Sequence, residues 1–262
     1  PIDLQEHMQQ SIEGLNHLTS EEKQALELYR GHAHEDINGA LTGRSQIKFN
    51  SYYTAGHWKT STITNAFHDF EDFNNYVNHM DSALSGRQKE SRVIYRGVSS
   101  VGAYKIASSM GGSQVNDPEL DPSKANVDDI KAALMSHYEP GTEIQFDGYA
   151  STSLDPLVAA VWAGSGHGKP AIIYELQTSL GSDVTGISDF GGEDEREVIL
   201  PRSSRFKVLN VYTDTKYSCE TAEEGNIEET SYTDGNTVIV QLIEVNAEGN
   251  PVTTNEPFKP TE

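Results

Sequence analysis

Apolar residues change their spacing once along this chain, near residue 90. Before it they recur at helical intervals: Leu4, Met8, Ile12 and Leu15 in the first segment, then Phe67, Phe70, Phe73, Val77, Met80 and Leu84 in a long amphipathic stretch that ends near Gly86. Between them, Thr19-Ser20-Glu21-Glu22 sets a hydroxyl three residues ahead of a glutamate, the capping-box pattern that opens a helix over Ala25-Leu26 and Leu28-Tyr29. From residue 91 onward, short apolar runs bounded by Gly, Pro, Asn and Asp predict strands over 91–98, 143–151, 170–176, 195–200, 206–212 and 237–245. Helices are predicted over 126–138 and 155–163, and loops over 111–125 and 213–236. Helices first and strands afterwards indicate an α+β fold rather than an alternating parallel sheet. No repeat or linker cuts the chain. It reads as a single domain, with a helical N-terminal lobe over 1–88, a β-rich core over 89–246 and an extended tail over 247–262.

Composition narrows the function classes. The 262 residues supply ample material for a core, and 35% of them are apolar. No run has the length of a membrane span, and no basic segment followed by an apolar one marks a signal peptide. The single Cys219 excludes an internal disulfide framework and a multi-cysteine zinc site. Forty acidic against nineteen basic residues leave a net charge of −21, a field that repels nucleic-acid backbone and anionic membrane and favours basic protein surfaces. Neither membrane nor nucleic-acid binding is expected, and the protein is expected to be a monomer.

Three short stretches carry candidate chemistry. In Val93-Ile94-Tyr95-Arg96-Gly97-Val98, strand alternation puts Val93, Tyr95 and Gly97 on one face and Ile94, Arg96 and Val98 on the other. An arginine among apolar neighbours needs an anion, either a structural carboxylate or a bound phosphate or carboxylate gripped by its fork. Gly97 beside it permits close backbone approach by a ligand. Ser151-Thr152-Ser153 precedes Leu154-Asp155-Pro156, where Ser153 or Asp155 caps a helix with Pro156 in its first position. That leaves the hydroxyls of Ser151 and Thr152 to hold a neighbouring group. Glu195-Arg196-Glu197 then opens the run Val198-Ile199-Leu200-Pro201. On one strand, Glu195 and Glu197 share a face and look into one space, which is unfavourable for two like charges unless something offsets it.

Aromatic-Arg-Gly, then Ser-Thr-Ser, then Glu-x-Glu before Val-Ile-Leu-Pro, in that order, resembles the R-S-E class of mono-ADP-ribosyltransferases. This class holds the arginine-modifying bacterial toxins and phage enzymes of the Alt and Mod type. The resemblance runs from about Leu26 to Tyr212 and takes in Tyr29-Arg30-Gly31, Ile37-Asn38 and Leu41, which look like the family's N-terminal Tyr-x-Gly, Ile-Asn, Leu signature. Tyr29-Arg30-Gly31 also spells the arginine motif, but in a helical stretch, so Arg96 is taken as the motif's arginine. The resemblance implies a split β-sandwich core and NAD as a substrate, with no metal. It implies that Arg96 grips the NAD phosphates, that the Gly97 backbone holds the nicotinamide amide, and that Asn38 and Thr152 support the NAD site. Ser151 would orient Glu197, the catalytic glutamate, which stabilises positive charge as nicotinamide leaves. Glu195 would engage the acceptor; a Gln there goes with other acceptors in this family, and a Glu points to arginine. Phe190 at the tip of the 189–193 turn would recognise the target protein.

After the Ser-Thr-Ser helix, where many relatives place an aromatic and then an arginine, this chain has Trp162 and Lys169, a departure at the second position. Gly164-Ser165-Gly166-His167-Gly168-Lys169 lacks phosphate-loop spacing, and His32-Ala33-His34-Glu35 lacks metal-ligand spacing. Rival readings are an NAD glycohydrolase, with water as acceptor, and an inactive NAD-binding module. Action in the cytoplasm of a target cell after delivery is expected, and the acidity and missing secretion signal tilt the origin toward the phage branch.

Overall fold

In the computed structural model, which describes residues 4–55, 62–65, 67–109, 126–164, 170–187, 195–214, 218–223, 226–231 and 235–252, four helices start at side-chain caps: Thr19, Asp69, Asn126 and Asp155. In chain order the helices and strands are α1 (Leu4–Gly14), α2 (Ser20–Leu28), α3 (His34–Leu41), β1 (Tyr52–Ala55), β2 (Thr62–Asn65), α4 (Phe70–Ala83) and β3 (Arg92–Val98). Then come α5 (Ser100–Ser109), α6 (Val127–His137), β4 (Glu143–Phe146), β5 (Ala150–Ser153), α7 (Pro156–Ala163) and β6 (Ala171–Thr178). β7 (Ser182–Asp183), β8 (Glu197–Leu200), β9 (Ser204–Asp214), β10 (Ser218–Glu223), β11 (Asn226–Ser231) and β12 (Thr237–Glu244) complete the set. The fold is α+β, as its sequence pattern predicts. Thr19 closes the capping box on α2, accepting from Glu22 N at 3.1 Å while Glu22 accepts from Thr19 N at 3.3 Å. Asn126 caps α6 and Asp155 caps α7, with Pro156 in the first position. Each such cap contributes about 1 kcal/mol.

Two compact units emerge, one from Pro1–Lys89, Gln145–Ser151 and Leu180–Ser204, the other from Glu90–Ile144, Thr152–Ser179 and Arg205–Glu262. The first unit packs Leu26, Tyr29, Ile37, Phe67, Met80 and Leu84 into one apolar core with Tyr149, Val184 and Ile199. β7 and β8 pair antiparallel in it, Ser182 opposite Ile199 and Asp183 opposite Val198. Helix α2 runs into α3 through a kinked turn, Tyr29–Ala33, in which Gly31 leaves helical geometry (φ −73°, ψ −150°). Helix α1 is fastened to the segment after β7. Ser11 Oγ donates to the Asp183 carbonyl at 3.1 Å and accepts from Gly186 N at 2.9 Å. His7 Nε2 stands 3.1 Å from Asp183 Oδ2, and Thr185 donates to Asp183 Oδ1 through both its backbone and its hydroxyl.

In the second unit, β12 lies between β9, which is antiparallel to it, and β6, which is parallel; β6 then pairs antiparallel with β3. Ser153 at the end of β5 pairs with Tyr95 of β3. Ala160 and Ala163 of α7 pack on Ala171, Ile173 and Ile239. A Cβ at Gly97 would overlap the Ala159 carbonyl oxygen and come within 2.8 Å of Ala163 N, so this glycine lets helix backbone lie directly on strand backbone.

Several expectations need correction. The segment 143–151 is two strands rather than one, divided at Asp147-Gly148, a bend-forming pair. Part of the 213–236 loop is the β10–β11 hairpin, Ser218 opposite Ser231, where Thr and Ile suit strand geometry. Helix α5 was not foreseen; its buried residues, Ala103, Tyr104 and Ala107, are mostly too small to give an obvious stripe. The tail begins as a tight turn closed by a Val245–Pro251 bridge. The 111–125 loop lies outside the described residues, as do 253–262 of the tail. No helix among the described residues is long and apolar enough to cross a membrane.

Two outcomes follow from this packing. Gly97→Ala must push α7 from β3 and should cost about 1–3 kcal/mol in urea unfolding. Burial alone would raise the Asp183 carboxyl, but hydrogen bonds from His7 and Thr185 outweigh it and hold the group below its usual 3.8. Its stabilising effect is therefore complete well above that pH and lost as pH falls through the lowered folded value. Asp183→Asn should lower the melting temperature at pH 7 by a few degrees, with the gap to the parent closing as pH falls to about 3.

Candidate active site

Glu197 opens β8, and its burial follows from the run it begins. Val198, Ile199 and Leu200 are all fully buried, and Glu197 itself is 5% exposed. A carboxylate in that setting loses several kcal/mol of hydration unless a partner offsets it. The partner is Arg30, whose Nε donates to Glu197 Oε2 at 2.8 Å, with side-chain exposures of 10% and 7%. Arg30 Nη1 also donates to the Val184 carbonyl at 3.0 Å, and Val184 N donates to the Glu197 carbonyl at 2.9 Å. Backbone and side chain of Glu197 are thus both fixed by a closed loop of three residues.

Arg30 owes its place to the kinked turn between α2 and α3. Next to it, Tyr29 is buried and donates through its hydroxyl to the Tyr149 carbonyl at 3.1 Å. Asn38 Nδ2 donates to the same carbonyl and to the Tyr29 hydroxyl, both at 3.0 Å. That carbonyl contact fixes the orientation of the Asn38 amide. Its Oδ1 is buried without a hydrogen-bond partner among the described residues and faces Gly148, where a Cβ would approach to 2.6 Å. Tyr149 donates to Asp81 at 2.7 Å, and Asp81 is held by the Arg202 fork at 2.7 and 3.0 Å.

Sequence reasoning passed over Arg30. A signal was present: Leu26, Arg30, Ala33 and Ile37 fall at helical spacing, and a charge on such an apolar stripe needs a partner.

Glu195 stands differently from its neighbour. It precedes β8 and is half-buried, and Arg196 between the two glutamates has φ 42°, in the left-handed region. The expectation that strand alternation sets both carboxylates on one face is therefore corrected, since a left-handed residue breaks the pleat. Ser151 is half-buried on β5 in the same unit as both glutamates. Phe190 and the 189–193 turn lie outside the described residues.

Arg96, Gly97 and Thr152 belong to the second unit. Arg96 sits opposite Tyr174 of β6, away from the α7 side that Gly97 faces, so the predicted alternation of β3 holds. Burial raises the Tyr174 phenol, and the Tyr138 hydroxyl at 2.6 Å and the Arg96 cation offset part of the rise. Close approach at Gly97 is made by helix α7. Thr152 is fully buried, and Ser153 Oγ accepts from Asp155 N at 2.9 Å, tying β5 to the start of α7.

The chain matches the family model described as ADP-ribosyltransferase exoenzyme over residues 5–241. No curated protein matches it in sequence. Its structure is similar to the C3 exoenzyme of Clostridium limosum, at 18% identity and TM-score 0.55, covering 94% of this chain and 96% of the other. It is also similar to the Vis toxin of Vibrio splendidus, at 17% identity and TM-score 0.50, covering 97% and 91%. Exoenzyme S of Pseudomonas aeruginosa is similar at 17% identity and TM-score 0.51, covering 95% and 86%. With its family model matched from α1 into β12, and with a fold shared with these proteins, the chain belongs to the ADP-ribosyltransferase exoenzyme family.

Proposed function

We propose that the protein, acting as one catalytic domain, transfers ADP-ribose from NAD to arginine side chains of a target protein and releases nicotinamide. The observation that carries this reading is Glu197, a buried carboxylate locked in place at the start of β8 in a chain of this family. Rigid negative charge is what the reaction requires. As the bond between the ribose C1′ and the nicotinamide nitrogen breaks, the pyridinium becomes neutral and positive charge develops on the ribose. Glu197 accepts a hydrogen bond from the ribose hydroxyl and faces that charge, while Ser151 supports it from β5. Arg96 grips the diphosphate, with Gly97, Thr152 and Asn38 completing the NAD site.

Glu195 handles the acceptor. A guanidinium is a poor nucleophile until it loses a proton, and Glu195, outside the strand and half-buried, orients it and takes that proton as nitrogen bonds to C1′. Two relatives support the pairing of substrates. Vis has been solved in complex with agmatine, a small guanidinium compound, and Exoenzyme S bound to Carba-NAD together with a 14-3-3 protein. The exoenzyme match favours a toxin-type origin, with action inside a host cell, over the phage branch.

Labelled NAD, a cell lysate and agmatine test this directly. Glu197→Ala should lose both transfer and NAD hydrolysis by about a hundredfold or more. Glu195→Ala should lose transfer to lysate proteins and agmatine while keeping much of the hydrolysis. Transfer by both variants at the parent's rate would sink the assignment. A parent that hydrolyses NAD but modifies neither protein nor agmatine would be a glycohydrolase instead.

A further inference from the structure

We infer that Arg30 is a positioning residue for Glu197, dividing the two oxygens of that carboxylate between the protein and the substrate. The inference rests on the reading of Glu197 as the catalytic glutamate. Arg30 Nε takes Oε2 at 2.8 Å, and Arg30 supplies the hydrogen bond that the Glu197 side chain receives among the described residues. Oε1 is left to meet a ribose hydroxyl. A carboxylate on a side chain with three rotatable bonds would otherwise sample several rotamers, and holding one oxygen selects the rotamer before substrate arrives.

Three features set this contact apart from an ordinary ion pair. Both partners are almost wholly buried, where a pair is a poor source of stability compared with apolar packing, so stability alone gives little reason for it. The guanidinium is itself immobilised, with Nη1 on the Val184 carbonyl and the preceding Tyr29 pinned to Tyr149 and Asn38. The arginine also sits in a kinked turn, where Gly31 at ψ −150° leaves helical geometry between α2 and α3 and directs Arg30 toward β8. A role as a direct clamp on substrate phosphate fits less well, since two of the three guanidinium nitrogens are committed to protein acceptors.

The same fork explains why lysine is a poor substitute. A single ammonium cannot meet Glu197 and Val184 in the geometry that Nε and Nη1 provide.

Steady-state NAD hydrolysis by the full chain and its Arg30→Gln and Arg30→Lys variants reads the role, at a temperature well below each variant's melting point. In Arg30→Gln, kcat should fall about tenfold to a hundredfold while KM for NAD stays within about threefold. Arg30→Lys should fall between that variant and the parent. A second readout needs no activity: Arg30→Gln should lower the melting temperature by leaving a buried carboxylate unpaired, and adding Glu197→Gln should recover most of the loss. Unchanged kcat in folded Arg30→Gln would overturn the inference, as would a rise in KM at constant kcat, which would make Arg30 a substrate-binding group. Failure of Glu197→Gln to recover the melting temperature would also count against it. A parent that leaves NAD intact would instead remove the proposed function, and the catalytic role of Arg30 with it.

Discussion

A buried carboxylate has to be paid for somewhere, and in this protein most of the first unit is arranged around that need. Glu197 enters an apolar run where water is excluded. Arg30 answers it from a turn between two helices, Val184 links the two through its backbone, and the helix α1 side chains His7 and Ser11 hold the residues on either side of Val184. Removing any one of these leaves the rest with a charge or a hydrogen-bonding group whose partner has gone. Placement of the acid is thus a property of a connected set, and the apolar core of Leu26, Ile37, Met80 and Ile199 is what keeps that set dry.

Much of the fold was legible because local chemistry and tertiary packing agree. Thr19 and Glu22 cap the helix they predict, Asp155 and Pro156 start theirs, and β3 alternates as its residues suggest. At two positions near the site, backbone geometry or packing decided the outcome without leaving a mark in residue type. Nothing about Arg196 announces a left-handed conformation, and two glutamates two residues apart look like strand neighbours until that angle is known. Gly97 suggests close backbone approach, and in the fold its missing Cβ makes room for helix α7. Arg30 is the harder residue to single out, because an identical tripeptide at Tyr95-Arg96-Gly97 has the strand setting, and the kink that aims Arg30 is not written in propensity.

The two acids of the Glu-x-Glu stretch emerge as unequal before any substrate is considered. One is in the sheet, buried, and tied at both backbone and side chain; the other is outside it, half-buried, beyond a break in the pleat. A fixed, buried charge suits the stabilisation of a short-lived cation. Two acids two residues apart come to stand in such different settings because Arg196 between them takes a left-handed conformation.

The turn at Tyr29–Ala33 has a consequence for how such a site drifts over evolutionary time. Several of its anchoring contacts end on main-chain oxygens: Tyr29 and Asn38 on residue 149, Arg30 on residue 184. Main-chain acceptors are supplied by every amino acid, so the residues that carry them can change identity without breaking the contact. Loss of one residue from the turn is another matter. It would alter the kink at Gly31 and with it the direction in which Arg30 leaves the turn toward its glutamate. Such a site is tolerant of substitution and intolerant of deletion, a combination under which architecture outlasts recognisable sequence.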